Sequence, residues 1–143
     1  MYEPIRTKSV HTMAAAPEIP HRSREEELDI RLAGHLTALL TVTDELRALA
    51  PRTGAGAAGA ELAVAADRIA GQVARLCGGR SPLRAEPTAG GAPSRIPALH
   101  HRARTLAGNA LVVATSRGNT AAMTLAAERL EAHSASLPDL ASA

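Results

Sequence analysis

Residues 23–50 read SREEELDIRLAGHLTALLTVTDELRALA, and this stretch decides the fold class. Leu28, Leu32, Leu36, Leu39, Val42, Thr43, Leu46 and Leu49 recur at spacings of three and four, which draws one broad apolar stripe along a helix. Ser23 stands three residues before Glu26, the pattern in which each side chain caps the other's backbone N–H. Glu25, Glu26, Glu27 and Asp29 place negative charge in the first turns, where the helix dipole favours it. Pro51 cannot continue the helix, so the end is expected near Ala50.

Working outward, the same rhythm returns three times. Gly54, Gly56 and Gly59 mark a turn over 51–59, and a second helix is expected from about Ala60 to Cys77, with a seam of Leu62, Ala66, Ile69, Val73 and Leu76. Gly78-Gly79 supplies its C-cap. A third helix is expected from Pro97 to Arg117, with a seam of Leu99, Ala103, Leu106, Ala110, Val113 and Ala114. Leu111 and Val112 fall off that seam, so 110–114 is apolar nearly all round. Gly118 closes this helix, and Asn119 or Thr120 caps a fourth, whose expected seam is Met123, Ala127, Leu130, Ser134 and Leu137, ending at Pro138.

These elements predict an all-α four-helix bundle over residues 23–138, made of two helical hairpins joined by a long Gly/Pro-rich connection at 78–96. The connection is either a crossover spanning the bundle or a loose link. Residues 1–22, broken by Pro4, Pro17 and Pro20, read as a flexible arm, either a mobile tail or a docking segment. Residues 139–143 read as a short tail.

Composition supports the helical reading. The chain has no Phe, no Trp and one Tyr, Tyr2, so the core is built from Leu, Val, Ile, Met and Ala. Cys77 is the one cysteine, which excludes an internal disulfide and a multi-cysteine zinc site. No apolar run reaches the length of a membrane span and no signal-peptide core stands at the start, so a cytoplasmic protein with no membrane partner is expected.

The net charge of +2 is unevenly spread. From Arg68 to Arg117 there are eight Arg and one acid, Glu86; the remainder of the chain is net acidic. Such polarity suits an anionic partner, or an acidic first helix lying beside a basic third helix in one molecule, and the second reading is preferred.

Four features carry candidate chemistry. His35 falls among Leu32, Leu36 and Leu39, where it reads as a buried neutral imidazole or as a ligand facing the core. The predicted helices have no Glu-x-x-His and no His-x-x-x-His, so no metal and no cofactor is expected. His100, His101 and His133 do not project clearly from the apolar seams.

His101, with Arg104 and Thr105 following, suits a solvent-facing imidazole nucleophile with a cation one turn on. The segment resembles the phospho-acceptor box of histidine kinase dimerisation helices over five residues. It departs from that box at Arg102, where an acid is usual, and at Leu106, where Pro is usual. The resemblance implies His101 as phospho-acceptor, and the residues read alone imply a solvated basic face.

Nucleic-acid or polyanion binding through the Arg-rich segment 68–117 is a further reading, weakened by a single Lys and the lack of aromatic side chains for stacking. Gly-x-Ser-x-Gly and phosphate-loop motifs are absent. The expectation is therefore a non-enzymatic helical interaction module that binds a protein partner or itself as a homodimer, with Leu111, Val112, Arg102 and Arg104 as its surface. The alternatives are polyanion binding and a phospho-acceptor or ligand-binding bundle using His101 or His35.

Overall fold

The structure, a computed structural model, describes residues 22–50, 56–87 and 91–138. Of the predicted arm at 1–22 all but Arg22, and the whole of the tail at 139–143, lie outside the described residues. All regular structure among the described residues is helical: α1 (Arg24–Leu49), α2 (Gly56–Leu76), α3 (Ile96–Arg117) and α4 (Thr120–Ala135), with a 3₁₀ turn at Pro93–Arg95 leading into α3.

The helix ends form where the local chemistry places them. At the start of α1 the Glu26 N–H donates to Ser23 Oγ at 3.1 Å, and the Ser23 N–H donates to Glu26 Oε1 at 2.8 Å. After α2, Gly78 and Gly79 take φ of 67° and 91°, and the Gly79 N–H donates to the Ala74 carbonyl at 2.7 Å. Gly118, at φ 75°, ends α3. One residue later, Asn119 Oδ1 accepts from the Ala122 N–H at 3.0 Å and opens α4.

Two boundaries differ from expectation. α2 starts at Gly56, not Ala60, because Ala57, Ala58 and Ala60 sustain the helix through glycines that read as a turn. α4 ends at Ala135, two residues before Leu137.

α1 packs along α2 on one side and α3 on the other; α3 packs along α4, and α4 meets α2 over a shorter stretch. The ring order is thus α1, α2, α4, α3. Ion pairs show the directions. Arg117 at the end of α3 meets Asp29 near the start of α1, and Arg95 before α3 meets Glu45 near the end of α1. Arg129, late in α4, meets Glu61, early in α2. Neighbouring helices are therefore antiparallel and diagonal ones parallel, an arrangement that requires one long crossover between the hairpins. The described parts of the connection make that crossing. Arg84 lies over the α1–α2 pair, bidentate on Asp44 at 2.7 and 3.1 Å and reaching Asp67 at 3.4 Å.

The core is one cluster of Leu, Ala, Val and Ile. Leu32, Leu36, Leu39 and Ile69 are fully enclosed, and Ala66, Ala103, Ala107, Ala110, Ala114, Ala122 and Ala126 let the helices approach closely. The expected seams of α1, α2 and α3 are the buried ones, save Leu76 at the end of α2, which is half-buried. That of α4 is not. Its buried residues are Ala122, Leu125, Ala126, Arg129 and His133, so the helix is turned by about one residue, roughly 100°, from the expected seam. Ala127 is exposed, and Met123, Leu130 and Ser134 are only half-buried. The reason is that two of the core-facing positions are polar and satisfied by other helices. No helix among the described residues is long and apolar enough to cross a membrane.

Candidate functional site

The outward side of α3 carries most of the residues singled out from the sequence. Val112 is 67% exposed, and His101, Arg102 and Arg104 are exposed, with no ion pair at either arginine among the described residues. Leu111 does not accompany Val112 outward: it is half-buried and packs against the core. Ile30, on the neighbouring α1, is 53% exposed. His35 sits half-buried at the edge of the α1 stripe, not in its middle as its leucine neighbours suggested.

Four of the eight arginines of 68–117 are engaged within the molecule. Arg68 pairs with Glu128 at 2.7 Å, Arg84 with Asp44 and Asp67, Arg95 with Glu45 at 3.5 Å, and Arg117 with Asp29 at 2.9 Å. Two of these join α1 to α3 or to the turn before it, as the acidic-against-basic reading requires. The Arg84 guanidinium holds its proton more firmly than usual, chiefly through its hydrogen bonds to Asp44.

The bundle also contains a polar cluster that the sequence reading missed. His133 on α4 is 1% exposed, and Arg129, one turn earlier, has a side chain only 4% exposed. Arg129 Nη1 donates to Glu61 Oε2 on α2 at 2.5 Å; the Glu61 carboxylate itself is 56% exposed. Arg129 Nη2 lies 3.3 Å from His133 Nε2. His133 Nδ1 lies 2.9 Å from His100 Nδ1 on α3, with the two rings tilted at 48°. Arg129 Nε is buried without a hydrogen-bond partner.

Donor chemistry orders the protons along this chain. A guanidinium only donates, so His133 Nε2 accepts and its single hydrogen sits on Nδ1. That hydrogen is donated to His100 Nδ1, leaving the His100 hydrogen on Nε2. Both rings are held neutral. Burial, then the Arg129 charge, then His100 lower the His133 pKa to about 3. Burial, Arg129 and His101 lower that of His100. A positive guanidinium beside both rings also disfavours a cation there. Among the described residues no three His, Cys, Asp or Glu side chains come together as a metal site.

The stripe that would have revealed the cluster is Ala122, Ala126, Arg129, His133, a helical spacing of four, three and four. Counting only apolar residues hid it.

Where α2 and α4 diverge, two adjoining clefts of about 340 and 450 Å³ share Gln72, Arg75 and Ala121. Both are open to solvent, and their floors are Leu76 and Leu125. Comparison of the chain with protein-family models, with curated proteins and with solved structures gives no match.

Proposed function

We propose, from the geometry alone, that the chain is a non-enzymatic helical interaction module that pairs with a second copy of itself through the outward side of α3. The observation that carries this reading is Val112, a branched aliphatic side chain 67% exposed in the C-terminal half of a 22-residue helix. Arg102 and Arg104 lie two to three turns toward the helix start, without ion-pair partners among the described residues. A twofold, antiparallel meeting of two α3 helices sets Val112 against Val112 at the centre and keeps the arginines of the two copies apart. A second exposed aliphatic side chain, Ile30, stands on the adjoining α1. The interior supports the same reading: it is filled by interlocking Leu and Ala, with its polar cluster engaged in holding helices together.

The test is light scattering coupled to size exclusion over a range of protein concentrations. The expected result is a concentration-dependent dimer for the native chain and a monomer for Val112→Glu, with the far-ultraviolet spectrum of the variant unchanged. A native chain that stays monomeric at hundreds of micromolar defeats the proposal.

A further inference from the structure

The Arg129–His133–His100 chain has a property that neither the packing nor the proposed self-association uses: it has room for a fixed number of protons. With the guanidinium donating at one end, the two imidazoles hold one hydrogen between their Nδ1 atoms, 2.9 Å apart. A proton added to His100 Nδ1 meets the His133 N–H head to head. Moving the His133 hydrogen to Nε2 relieves that contact but sets it against the Arg129 N–H. Every arrangement with one more proton leaves two donors facing each other at hydrogen-bond distance.

We propose that this chain is a proton-operated latch: when His100 takes up one proton from solvent, its contact with His133 breaks and the C-terminal half of α4 peels away from α3. His100 is the entry point because it is half-buried, whereas His133 is enclosed.

The charges around the latch act in the same direction. From α4, Arg129 faces both rings. From α3, His101 also disfavours a charge on His100, and Arg104 lies one turn from His100. From α2, Glu61 faces the cluster, and it is held by Arg129. From α1, the acids at the same end of the bundle are Asp44 and Glu45, occupied by Arg84 and Arg95. No carboxylate among these is available to receive a protonated imidazole. The lowered pKa of both histidines agrees with the geometry.

Only the end of the bundle at His100 and His133 depends on this contact. The opposite end of the α3–α4 hairpin is closed by Gly118 and the Asn119 cap. The opening therefore starts at the C-terminal turns of α4, from Arg129 to Ala135.

The test combines two measurements on the full chain. Nitrogen-15 shifts of the imidazole rings at pH 7.5 are expected to show His133 protonated on Nδ1 and His100 on Nε2. Amide hydrogen exchange, corrected for the intrinsic dependence on pH, is expected to show the opening constant of the Arg129–Ala135 amides rising as the pH falls from 6.5 to 5, toward the limit of about tenfold per pH unit that one proton sets. Low urea should leave this opening unaltered, because little surface is exposed, while the Leu32–Leu40 amides of α1 exchange only through urea-sensitive unfolding.

The double variant His100→Gln/His133→Gln keeps the donor and acceptor order, since each amide both accepts and donates, but removes both titrating rings. Its α4 opening is expected to be flat from pH 7.5 to 5. The proposal is overturned if His133 carries its hydrogen on Nε2. It is equally overturned if the α4 amides share the urea dependence of α1 at pH 5, or if the double variant opens with the native pH slope. Should the double variant not fold, the ring tautomers and the native exchange pattern still decide.

Discussion

At the scale of single residues, stability rests on enclosed leucines and on polar groups whose partners are distant in sequence. Leu36 is fully buried among its neighbours, so Leu36→Ala is expected to cost about 3 kcal/mol in urea denaturation, the lost transfer energy plus the cavity left behind. Glu61 is a surface carboxylate, yet it is the one counterion of a buried guanidinium. Glu61→Ala is therefore expected to cost about 1–2 kcal/mol, more than a surface pair, because the charge left behind cannot reach water. A result within 0.3 kcal/mol of the native chain would show that Arg129 swings out to solvent instead. The leucines were legible in the sequence because each stands one helical turn from the next. Arg129, His133, His100 and Glu61 were not, because His100 and His133 are 33 positions apart and Glu61 and Arg129 are 68 apart. A polar side chain on a core stripe cannot be told from one on a solvated face until its partner's helix is in place.

At the scale of elements, the helix ends are the most legible feature. Ser23 and Glu26 form the reciprocal cap that their spacing announced, and Ser23→Ala is expected to lower stability by about 1 kcal/mol. The glycines divide by role: Gly118 takes a left-handed conformation at a helix end, whereas Gly56 and Gly59 lie inside α2. The rotation of α4 escaped the reading for a physical reason. Its apolar residues are mostly alanines, spread around the helix, so hydrophobicity alone sets its orientation weakly. The crossover is held by Arg84, whose loss strands the buried Asp44 carboxylate with only the more distant Arg47. Arg84→Ala is expected to destabilise by about 1–2 kcal/mol and to speed proteolysis within 78–87, read by limited digestion and mass spectrometry.

For the whole molecule, the polar cluster makes stability depend on pH with a definite sign. His133 titrates at about 3 in the folded chain, against an ordinary 6.5, and His100 is lowered as well. A lowered histidine means that the unfolded chain binds protons the folded chain refuses. Stability is therefore full above about pH 6.5 and falls as the pH drops from 6.5 toward 3, by about 1.4 kcal/mol per pH unit for each such proton. Urea midpoints measured from pH 7.5 to 5 are expected to fall in the native chain and to stay level in His100→Gln/His133→Gln.

The crossover also governs how the molecule carries a load. Because it returns the chain to the end from which α2 set out, Arg22 and Pro138 emerge at opposite poles of the bundle. Traction applied at those two points runs lengthwise, sliding α1 and α4 past their neighbours, instead of unzipping a hairpin turn by turn. Many side-chain contacts then have to give way together, so an optical trap should record one abrupt rupture when it grips these positions and a gentler, stepwise yielding when it grips Arg22 and Arg80.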